Sequence, residues 1–286
     1  MRLTDRIHLL KVDFDIPISP EKKISRFVNI ILIFSDKITL IDTGVKGSER
    51  SIFDYIKKQN RSYSEIESII LSHSHPDHIG SAADIKSLTN CKVYADELEK
   101  EWIENIEIQN RERPVPGFYN LVDKSVAIDK FVLNNQEIST QHGLTLKIIK
   151  SPGHSRGSLN VLFKEDRILF TADSIPLKND IPNYDNYWNL MESLERIKKN
   201  QDYEILLSSW TPPISNPHEI QRIINEGAEY IKKIDSIVKD CYNRSYRDSL
   251  DNCRLVIAKL GLPPFFANPL SDRAFKSHLE NNSTKA

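Results

Sequence analysis

The sequence of 286 residues predicts a layered α/β protein that is followed by a helical C-terminal segment. Short runs rich in Ile, Val and Leu, typical of buried strands, alternate with segments of helical periodicity through most of the chain. Near the C-terminus the strand pattern disappears, and apolar residues recur at helical spacing. We therefore expect a sandwich of sheets with helices on its outer faces over residues 1–215, and a helical extension packed on it over residues 216–286.

The first predicted elements are two strands joined as a hairpin. Residues 27–34 and 37–41 are apolar and β-branched, and Ser35 and Asp36 between them favour a turn. Ile52, Phe53 and Ile56 then recur at helical spacing. Taken in order, the patterns predict strands over 27–34, 37–41, 67–72 and 92–95, and helices over 50–59, 79–88 and 97–109.

Four further apolar runs predict the second half of the sandwich. They follow a segment with few periodic positions, residues 110–130, in which Pro114, Pro116 and Gly117 favour an irregular excursion near the mouth of a site. Beyond this segment the patterns predict strands over 144–150, 159–163, 167–171 and 204–207, and a helix over 188–199.

The last part of the chain is predicted to be entirely helical. Pro212 and Pro213 break the chain after the last strand, and Pro217 favours the start of a helix. Apolar stripes predict one helix from this proline onward and two more over 250–260 and 270–279. Core contacts against the sandwich explain the stripes most simply. A homodimer interface and a cover over the substrate are the alternatives.

The most informative stretch of the sequence is residues 73–78, His-Ser-His-Pro-Asp-His. Three of the chain's eight histidines lie within these six positions, together with one carboxylate. In a loop after a predicted strand, His73 and His75 can converge on one cation, while Asp77 and His78 face a second point nearby. Neutral imidazole and carboxylate are ligands that Zn²⁺ and Fe²⁺ accept. A solvated polar loop is the weaker explanation of this density of histidine.

The stretch resembles the His-x-His-x-Asp-His signature of the metallo-β-lactamase superfamily. Three other segments look like further motifs of that family and follow its order: residues 40–44 its early strand and turn, residues 151–158 its second metal motif, and residues 168–173 its third. The resemblance extends over roughly residues 25–215. It implies a four-layer αββα sandwich with metals at one edge of the two sheets.

The resemblance also implies a set of metal ligands and a reaction. The implied ligands are His73, His75 and His154 for a first cation, Asp77 and His78 for a second, and Asp173 as a bridge between the two. One or two zinc ions are expected, with iron as the alternative, and the implied nucleophile is a metal-activated hydroxide. Asp77 is the implied catalytic residue, which orients that hydroxide or passes a proton to the leaving group. Taken alone, His154 could cap a loop and Asp173 could cap a helix.

One position departs from the family pattern. The superfamily usually supplies a final histidine after the last strand, and Trp210 occupies that place here. An indole donates through its N–H and cannot ligate a divalent cation through that group. The second cation is therefore expected to bind weakly, to recruit His218 or His278, or to be absent from a protein that works with one metal.

Two other polar positions have competing interpretations. Residues 153–157 fit the G-x-S-x-G pattern of serine hydrolases, but that motif requires a helix after its serine, and here a strand is predicted. Ser155 is therefore not expected to be a nucleophile. Asp42 resembles the buried aspartate with which the family orients metal ligands. A turn-forming aspartate fits the sequence equally well.

Aromatic residues that follow Asp173 are candidates for substrate binding. In lactonase-like members of the superfamily an aromatic near this place helps to bind the carbonyl, which implies such a role for Tyr187. Tyr184 and Trp188 lie beside it, and packing is the alternative role for all three. In the irregular segment, Phe118 and Tyr119 are further candidates.

Composition narrows the class of partner. A formal net charge of −1 implies no broad basic surface, so a small-molecule substrate is expected rather than nucleic acid. No apolar run approaches the roughly 20 residues that a membrane-spanning helix needs, so no membrane is expected. Cys91, Cys241 and Cys253 form no CxxC pair, which favours reduced thiols in a cytoplasmic protein.

Three hypotheses about function follow. The leading one is a metal-dependent hydrolase of a small ester, thioester or lactone. The second is a mononuclear iron oxygenase of the persulfide-dioxygenase type, with His73, His154 and Asp173 around Fe²⁺. The third is a catalytically weak metal-binding sensor or partner protein, which the tryptophan at position 210 keeps in consideration.

Overall fold

The first sheet contains six strands, and alternate side chains of its second strand are buried on both faces. In this computed structural model, which describes residues 1–19, 21–140, 143–243 and 249–280, six strands form the sheet in sequence order. The first three are antiparallel to one another, and the last four are mutually parallel. The six strands are β1 (Ile7–Ser19), β2 (Lys22–Phe34), β3 (Ile38–Ile41), β4 (Ile66–Ile70), β5 (Lys92–Ala95) and β6 (Lys130–Phe131).

The second sheet contains five strands and faces the first. From one edge to the other, its strands run in the reverse of their order in the sequence. Only the pair at one edge is parallel, and the remaining pairs are antiparallel. The strands are β7 (Glu137–Ser139), β8 (Thr145–Lys150), β9 (Leu159–Phe163), β10 (Ile168–Phe170) and β11 (Ile205–Leu207).

Alternation along the strands divides the apolar residues between two cores. In β2, Ile31 and Ile33 face the second sheet, where they join Val161 and Phe163 of β9 in one buried cluster. Their neighbour Leu32 points to the opposite face and packs in a separate cluster under the helices of the first sheet. Successive side chains of a strand point to opposite faces, so a strand covered on both faces is apolar at nearly every position.

Helices cover the outer face of each sheet, and the result is the four-layer αββα sandwich that the family resemblance implied. On the first sheet lie α1 (Ser48–Lys58), α2 (Pro76–Ile79), α3 (Ala82–Thr89), α4 (Lys100–Glu104), α5 (Ile106–Glu112) and α6 (Phe118–Leu121). On the second sheet lie α7 (Tyr187–Lys199) and the C-terminal helices α8 (Pro217–Asn243), α9 (Ser249–Leu260) and α10 (Pro269–Lys276).

The C-terminal helices share their core with the second sheet. Ile231 and Ile234 of α8 and Val256 of α9 are buried in the same cluster as Leu190 of α7 and Leu169 of β10. Of the interpretations of their apolar stripes, core contact is the one that this packing supports. The division of the chain at residue 215 stays a prediction. None of the described helices has the length and hydropathy that crossing a membrane requires.

Several predicted elements differ from those observed. The strand β1 was not predicted, although it pairs with nearly the whole of β2 in a long hairpin. The predicted helix over 79–88 is observed as α3, and α2 ends just before it at Ile79. Between the two helices the chain at Gly80 packs so closely on the backbone of Leu121 and Lys46 that a Cβ there would clash. The predicted helix over 97–109 is broken at Asn105, whose side chain caps α5.

The segment over 110–130, predicted to be irregular, contains most of the last turn of α5 and all of α6. The short strands β6 and β7 were also missed. They have two and three residues, which is too short for an alternating pattern to be distinguished from a loop.

Candidate metal centre

Chain segments that follow or join strands bring six predicted ligands to one edge of the sandwich. The segment after β4 carries His73 and His75, and α2 begins directly behind it with Asp77 and His78. The loop from β8 to β9 carries His154, and the residues after β10 carry Asp173. Loops at strand ends are free to present polar groups, while the strands fix where each loop begins.

The first group of ligands consists of three imidazoles and one carboxylate. One ligand atom from each of four residues lies within 4.8 Å of every other: His73, His75, His154 and Asp173. The Nε2 atom of His154 is 2.9 Å from Nδ1 of His75 and 3.4 Å from Oδ2 of Asp173. Residues that are 79 positions apart in sequence therefore converge on one point, as predicted.

The second group shares one member with the first. Asp77, His78 and Asp173 offer ligand atoms within the same 4.8 Å limit. The Nε2 atom of His78 is 3.6 Å from Oδ2 of Asp77 and 3.4 Å from Oδ1 of Asp173. Asp173 thus turns one oxygen toward each group, and its carboxylate would link two cations if both were bound.

Atoms of both groups fit a divalent cation. Buried polar atoms normally have a hydrogen-bond partner, and those without one need a reason. Among the described residues, Nε2 of His73, Nε2 of His78 and Oδ1 of Asp173 are buried and have no hydrogen-bond partner. Imidazole nitrogen and carboxylate oxygen are zinc and iron ligands, so a metal ion would satisfy all three atoms.

The electrostatic environment keeps the imidazoles of the first group neutral. Burial holds the pKa of His73 and of His75 well below the usual value and lowers the pKa of His154 to about 4. A neutral imidazole has a free lone pair for a metal. His78 differs: burial lowers its pKa, but the carboxylates of Asp173, Asp42 and Asp77 outweigh that effect and raise it well above the usual value.

Asp42 lies where it could orient His78, the role that the resemblance implies for it. Its side chain is fully buried and accepts hydrogen bonds from the backbone N–H and the hydroxyl of Ser72, each at 2.7 Å. Its Oδ2 atom also lies 2.8 Å from Nδ1 of His78. A carboxylate bonded to one ring nitrogen fixes the ring and leaves the other nitrogen for the metal.

Glu99 holds the two ligand loops together, and no pattern in the sequence indicated this role. Its buried carboxylate accepts from the backbone N–H of Ser74 at 3.0 Å and from the hydroxyl of Ser155 at 2.6 Å. It also accepts from the backbone N–H of Gly157 at 2.5 Å. Burial raises the pKa of this carboxyl. Glu99 therefore joins the loop of His73 and His75 to the loop of His154.

Ser155 is placed as a structural residue. Its side chain is fully buried, its hydroxyl donates to Glu99, and strand β9 follows it. A serine nucleophile of this motif would be followed by a helix, so the strand here agrees with the prediction that Ser155 is not one.

Trp210 lies beside the centre without contributing a ligand. Its ring packs between Phe14 and Phe27 of the β1–β2 hairpin, with centroid distances of 6.4 and 6.5 Å, and the guanidinium of Arg26 lies 5.9 Å from the ring centroid. Neither His218 nor His278 belongs to either ligand group, so among the described residues the second group has three members.

A largely apolar cleft opens beside the ligands. Asp77, His154 and Asp173 are among its lining residues, together with Trp210 and Arg113. Its apolar walls come from the β1–β2 hairpin, from residues 175–184 and from the C-terminal helices: Phe14, Ile16, Ile24, Ile175, Leu177, Ile181, Tyr230, Phe266 and Leu270.

The aromatic candidates for substrate binding lie mostly outside this cleft. Tyr187 is buried in the C-terminal core, where its ring stacks on His278 at a centroid distance of 4.3 Å. Tyr184 lines the cleft in its place, and its hydroxyl lies 2.7 Å from Nε2 of His278. Phe118 is buried under the first sheet, and Tyr119 is exposed.

Comparison of the chain with known proteins agrees with the fold and with the arrangement of the ligand residues. The chain belongs to the metallo-β-lactamase superfamily, whose sequence profile matches residues 25–210. Members of this superfamily are generally metal-dependent hydrolases. The superfamily defines the fold and the class of site, but its members differ in substrate.

Three similar proteins illustrate the range of the match. The chain is 27% identical over 262 residues to the Beta-lactamase-like protein 2 homolog of Caenorhabditis elegans, an alignment that covers 82% of this chain and 78% of that protein. It is 25% identical over 111 residues to a hydroxyacylglutathione hydrolase of Rhodopseudomonas palustris, which covers 39% of this chain and 34% of that protein. The crystal structure of a metallo-β-lactamase family protein from Thermus thermophilus superposes with a TM-score of 0.75 over 97% of this chain and 94% of that chain, at 15% identity.

Proposed function

We propose that this protein is a metal-dependent hydrolase of a small ester, thioester or lactone, with zinc at the first ligand group. The observation that carries the proposal is the convergence of three buried imidazoles and one carboxylate beside a cleft that is open to a ligand. One protein that the chain resembles in part is named as a hydrolase of hydroxyacylglutathione. An acyl group on the thiol of glutathione is a thioester, which supports this class of reaction.

The chain's own residues have separable roles in the proposed reaction. A cation at this site would lower the pKa of water and polarise the carbonyl of the substrate. His73, His75 and His154 hold that cation, and Asp173 links the two ligand groups. Asp77 lines the cleft and stands outside the first group, which supports a role for its carboxylate in orienting water or in passing a proton to the leaving group.

Metal removal tests the proposal directly. The protein is stripped with a chelator, checked by elemental analysis and assayed on a panel of esters, thioesters and lactones before and after zinc or iron is restored. We expect turnover of at least one class with zinc and loss of about 99% of it after stripping. Full activity in protein that is shown to be free of metal would refute the proposal.

Asp77→Asn separates catalysis from metal binding at the first group. Because Asp77 is absent from the first group, the variant keeps its first metal, while kcat falls by about 10²–10⁴ through loss of the proton-transfer group. Asp54→Asn, on the exposed face of α1, is the matched control and should leave kcat unchanged. Equal kcat in wild type and Asp77→Asn would remove Asp77 from the mechanism.

The second candidate function, a mononuclear iron oxygenase, is favoured by Trp210. The tryptophan leaves the second group with three members among the described residues, and His73, His154 and Asp173 can present two imidazoles and a carboxylate to one Fe²⁺. Stoichiometric iron together with oxygen uptake on glutathione persulfide would establish this candidate in place of the hydrolase. A protein that binds metal and turns over none of these substrates would instead be the sensor or partner of the third hypothesis.

A further inference from the structure

A buried arginine lines the cleft beside the ligand groups. Arg113 follows α5, and only 4% of its surface is exposed. Its positive charge acts on the ligands: after burial itself, it is the largest influence that lowers the pKa of His75. The guanidinium is therefore within electrostatic range of the reaction site.

Among the described residues, the charge of Arg113 has no direct counter-ion. Its one side-chain hydrogen bond in these parts of the chain runs from Nη2 to the neutral Oδ1 of Asn183, at 2.7 Å. No carboxylate oxygen of the described residues lies within the 4.0 Å of an ion pair. A buried guanidinium without a paired anion is energetically costly, so its presence needs a reason.

Two neighbouring arginines show the contrast. Arg26 lines the same cleft, but both terminal nitrogens bond the carboxylate of Asp180, at 2.8 and 2.5 Å. Arg273 lies 3.0 Å from a carboxylate oxygen of Asp185. Arg113 has five donors, and most of them have no hydrogen-bond partner among the described residues. The fork of a guanidinium matches the two oxygens of one carboxylate.

A bound metal would leave the positive charge of Arg113 with less nearby negative charge to balance it. Burial lowers the pKa of Arg113, while the charges of Asp185, Asp77 and Asp173 raise it. A cation held by Asp77 and Asp173 would take up the negative charge of both carboxylates. Of the three acidic groups, only Asp185 would remain, and its carboxylate is paired with Arg273.

We infer that Arg113 binds a carboxylate of the substrate. The substrate class is then an ester or thioester that carries a free carboxylate together with an apolar chain, which lies against the walls formed by Ile16, Ile24 and Leu177. This inference rests on the proposed hydrolase function and narrows it. A single guanidinium matches the charge and the two oxygens of one carboxylate, so a monoanion is favoured over a phosphate dianion.

The first test compares two matched substrates in the zinc-loaded protein. The mono-4-nitrophenyl ester of glutaric acid carries a free carboxylate, and 4-nitrophenyl pentanoate does not. The ratio of kcat/KM for the charged ester to that for the neutral ester should fall about 30-fold in Arg113→Gln, the effect of one charge-assisted hydrogen-bonded pair. Arg111→Gln removes an exposed charge two residues earlier and should change the ratio less than about threefold. An unchanged ratio in Arg113→Gln would overturn the inference.

The second test measures binding and needs no turnover. Calorimetry with hexanoate, hexanamide and hexyl phosphate is performed on zinc-loaded wild type, Arg113→Gln and Arg113→Lys. Hexanoate should bind at least about tenfold more weakly to Arg113→Gln and by a smaller factor to Arg113→Lys, which keeps the charge but loses the fork. Arg113→Lys serves alone if Arg113→Gln does not fold.

The outcomes separate the two proposals. A carboxylate that contacts only the zinc would bind wild type and Arg113→Gln equally, and that result would overturn the role of Arg113. Tighter binding of hexyl phosphate than of hexanoate would overturn the assignment to a carboxylate. Binding of hexanoate that depends on Arg113, in a protein that cleaves no ester or thioester, would support the anion site while the hydrolase proposal fails.

Discussion

At the scale of single residues, the candidate metal centre is held in place by side chains that are not themselves candidate ligands. Glu99 is 25 residues from one loop that it bonds and more than 50 from the other, and its carboxylate accepts three hydrogen bonds inside the protein. The carboxylate of Asp42 likewise holds the imidazole of His78 in place. Such partners orient ligands and raise metal affinity.

Replacing Glu99 with glutamine should weaken both the fold and the metal site. The amide keeps the shape but turns one acceptor into a donor that faces N–H or O–H groups, at a cost of about 1–3 kcal/mol in the free energy of unfolding. Zinc affinity should fall about 10–100-fold because the loops of His75 and His154 lose their link. Urea unfolding and competition with a chromogenic chelator measure the two effects. Glu97→Gln, on the exposed side of the same turn, is the control. A full-strength zinc site in Glu99→Gln would show that the carboxylate does not position the loops.

Replacing Trp210 with histidine should complete the second ligand group. An imidazole at this position supplies the ligand that an indole cannot. Zinc per chain after dialysis should rise by about one ion, as determined by elemental analysis. Trp210→Phe keeps a ring against Phe14 and Phe27 without a ligand atom and should leave the stoichiometry unchanged. No gain of metal in Trp210→His would show that residue 210 does not face the second group.

At the scale of elements, the long β1–β2 hairpin and the C-terminal helices both line the cleft. The ion pair of Arg26 with Asp180 joins the hairpin to the segment after β10. Near the C-terminus, His278 lies between Tyr184 of that segment and Asp235 of α8, 2.7 and 3.1 Å from them. The hairpin and the C-terminal helices therefore both make polar contacts with the segment that follows Asp173.

The docking of the C-terminal helices should weaken as pH falls, because His278 is buried in its neutral form. Burial lowers its pKa from 6.5 to about 4. Between these values the unfolded chain binds a proton that the folded chain does not, so stability decreases as pH falls from about 6.5 toward 4. This histidine alone should remove about 2 kcal/mol between pH 7.5 and pH 5.

Urea unfolding at several pH values measures this effect by comparing wild type with His278→Gln. The variant cannot titrate at this position, so it should lose less stability than wild type over the same interval. Identical pH profiles for the two proteins would show that His278 does not carry the effect. His218, which is exposed, provides the control variant His218→Gln, whose profile should follow wild type.

At the scale of the whole molecule, local patterns predicted what local forces determine. Several strands buried on both faces were predicted, and the His and Asp side chains of residues 73–78 come together as the sequence indicated, because periodicity and clustered ligand types are both visible within a few residues. The αββα arrangement came from the family resemblance, since no local pattern specifies how two sheets stack. β1 alternates apolar with polar residues, but its place is determined by pairing with β2.

Residues whose partners are distant in sequence were not predicted. Arg113 lies in a segment without periodicity, and its partner Asn183 is 70 residues further on. Glu99 lies in the segment predicted as a helix over 97–109, and nothing in that segment indicates that one of its charges is buried. For Tyr187 the sequence left two interpretations, because an aromatic side chain at a helix start fits either a pocket or a core. Its contacts place Tyr187 in the core.

Every proposed role of this protein requires a metal ion at the first ligand group, and the hydrolase proposal requires all of its members, His73, His75, His154 and Asp173. Elemental analysis of protein purified without added metal is the decisive measurement. Wild type should retain about one or two ions of zinc or iron per chain. His75→Ala removes one imidazole of the first group and should retain well under half as much metal while circular dichroism shows the same fold, and His218→Ala should match wild type. Equal metal content in wild type and a folded His75→Ala protein would refute the metal centre.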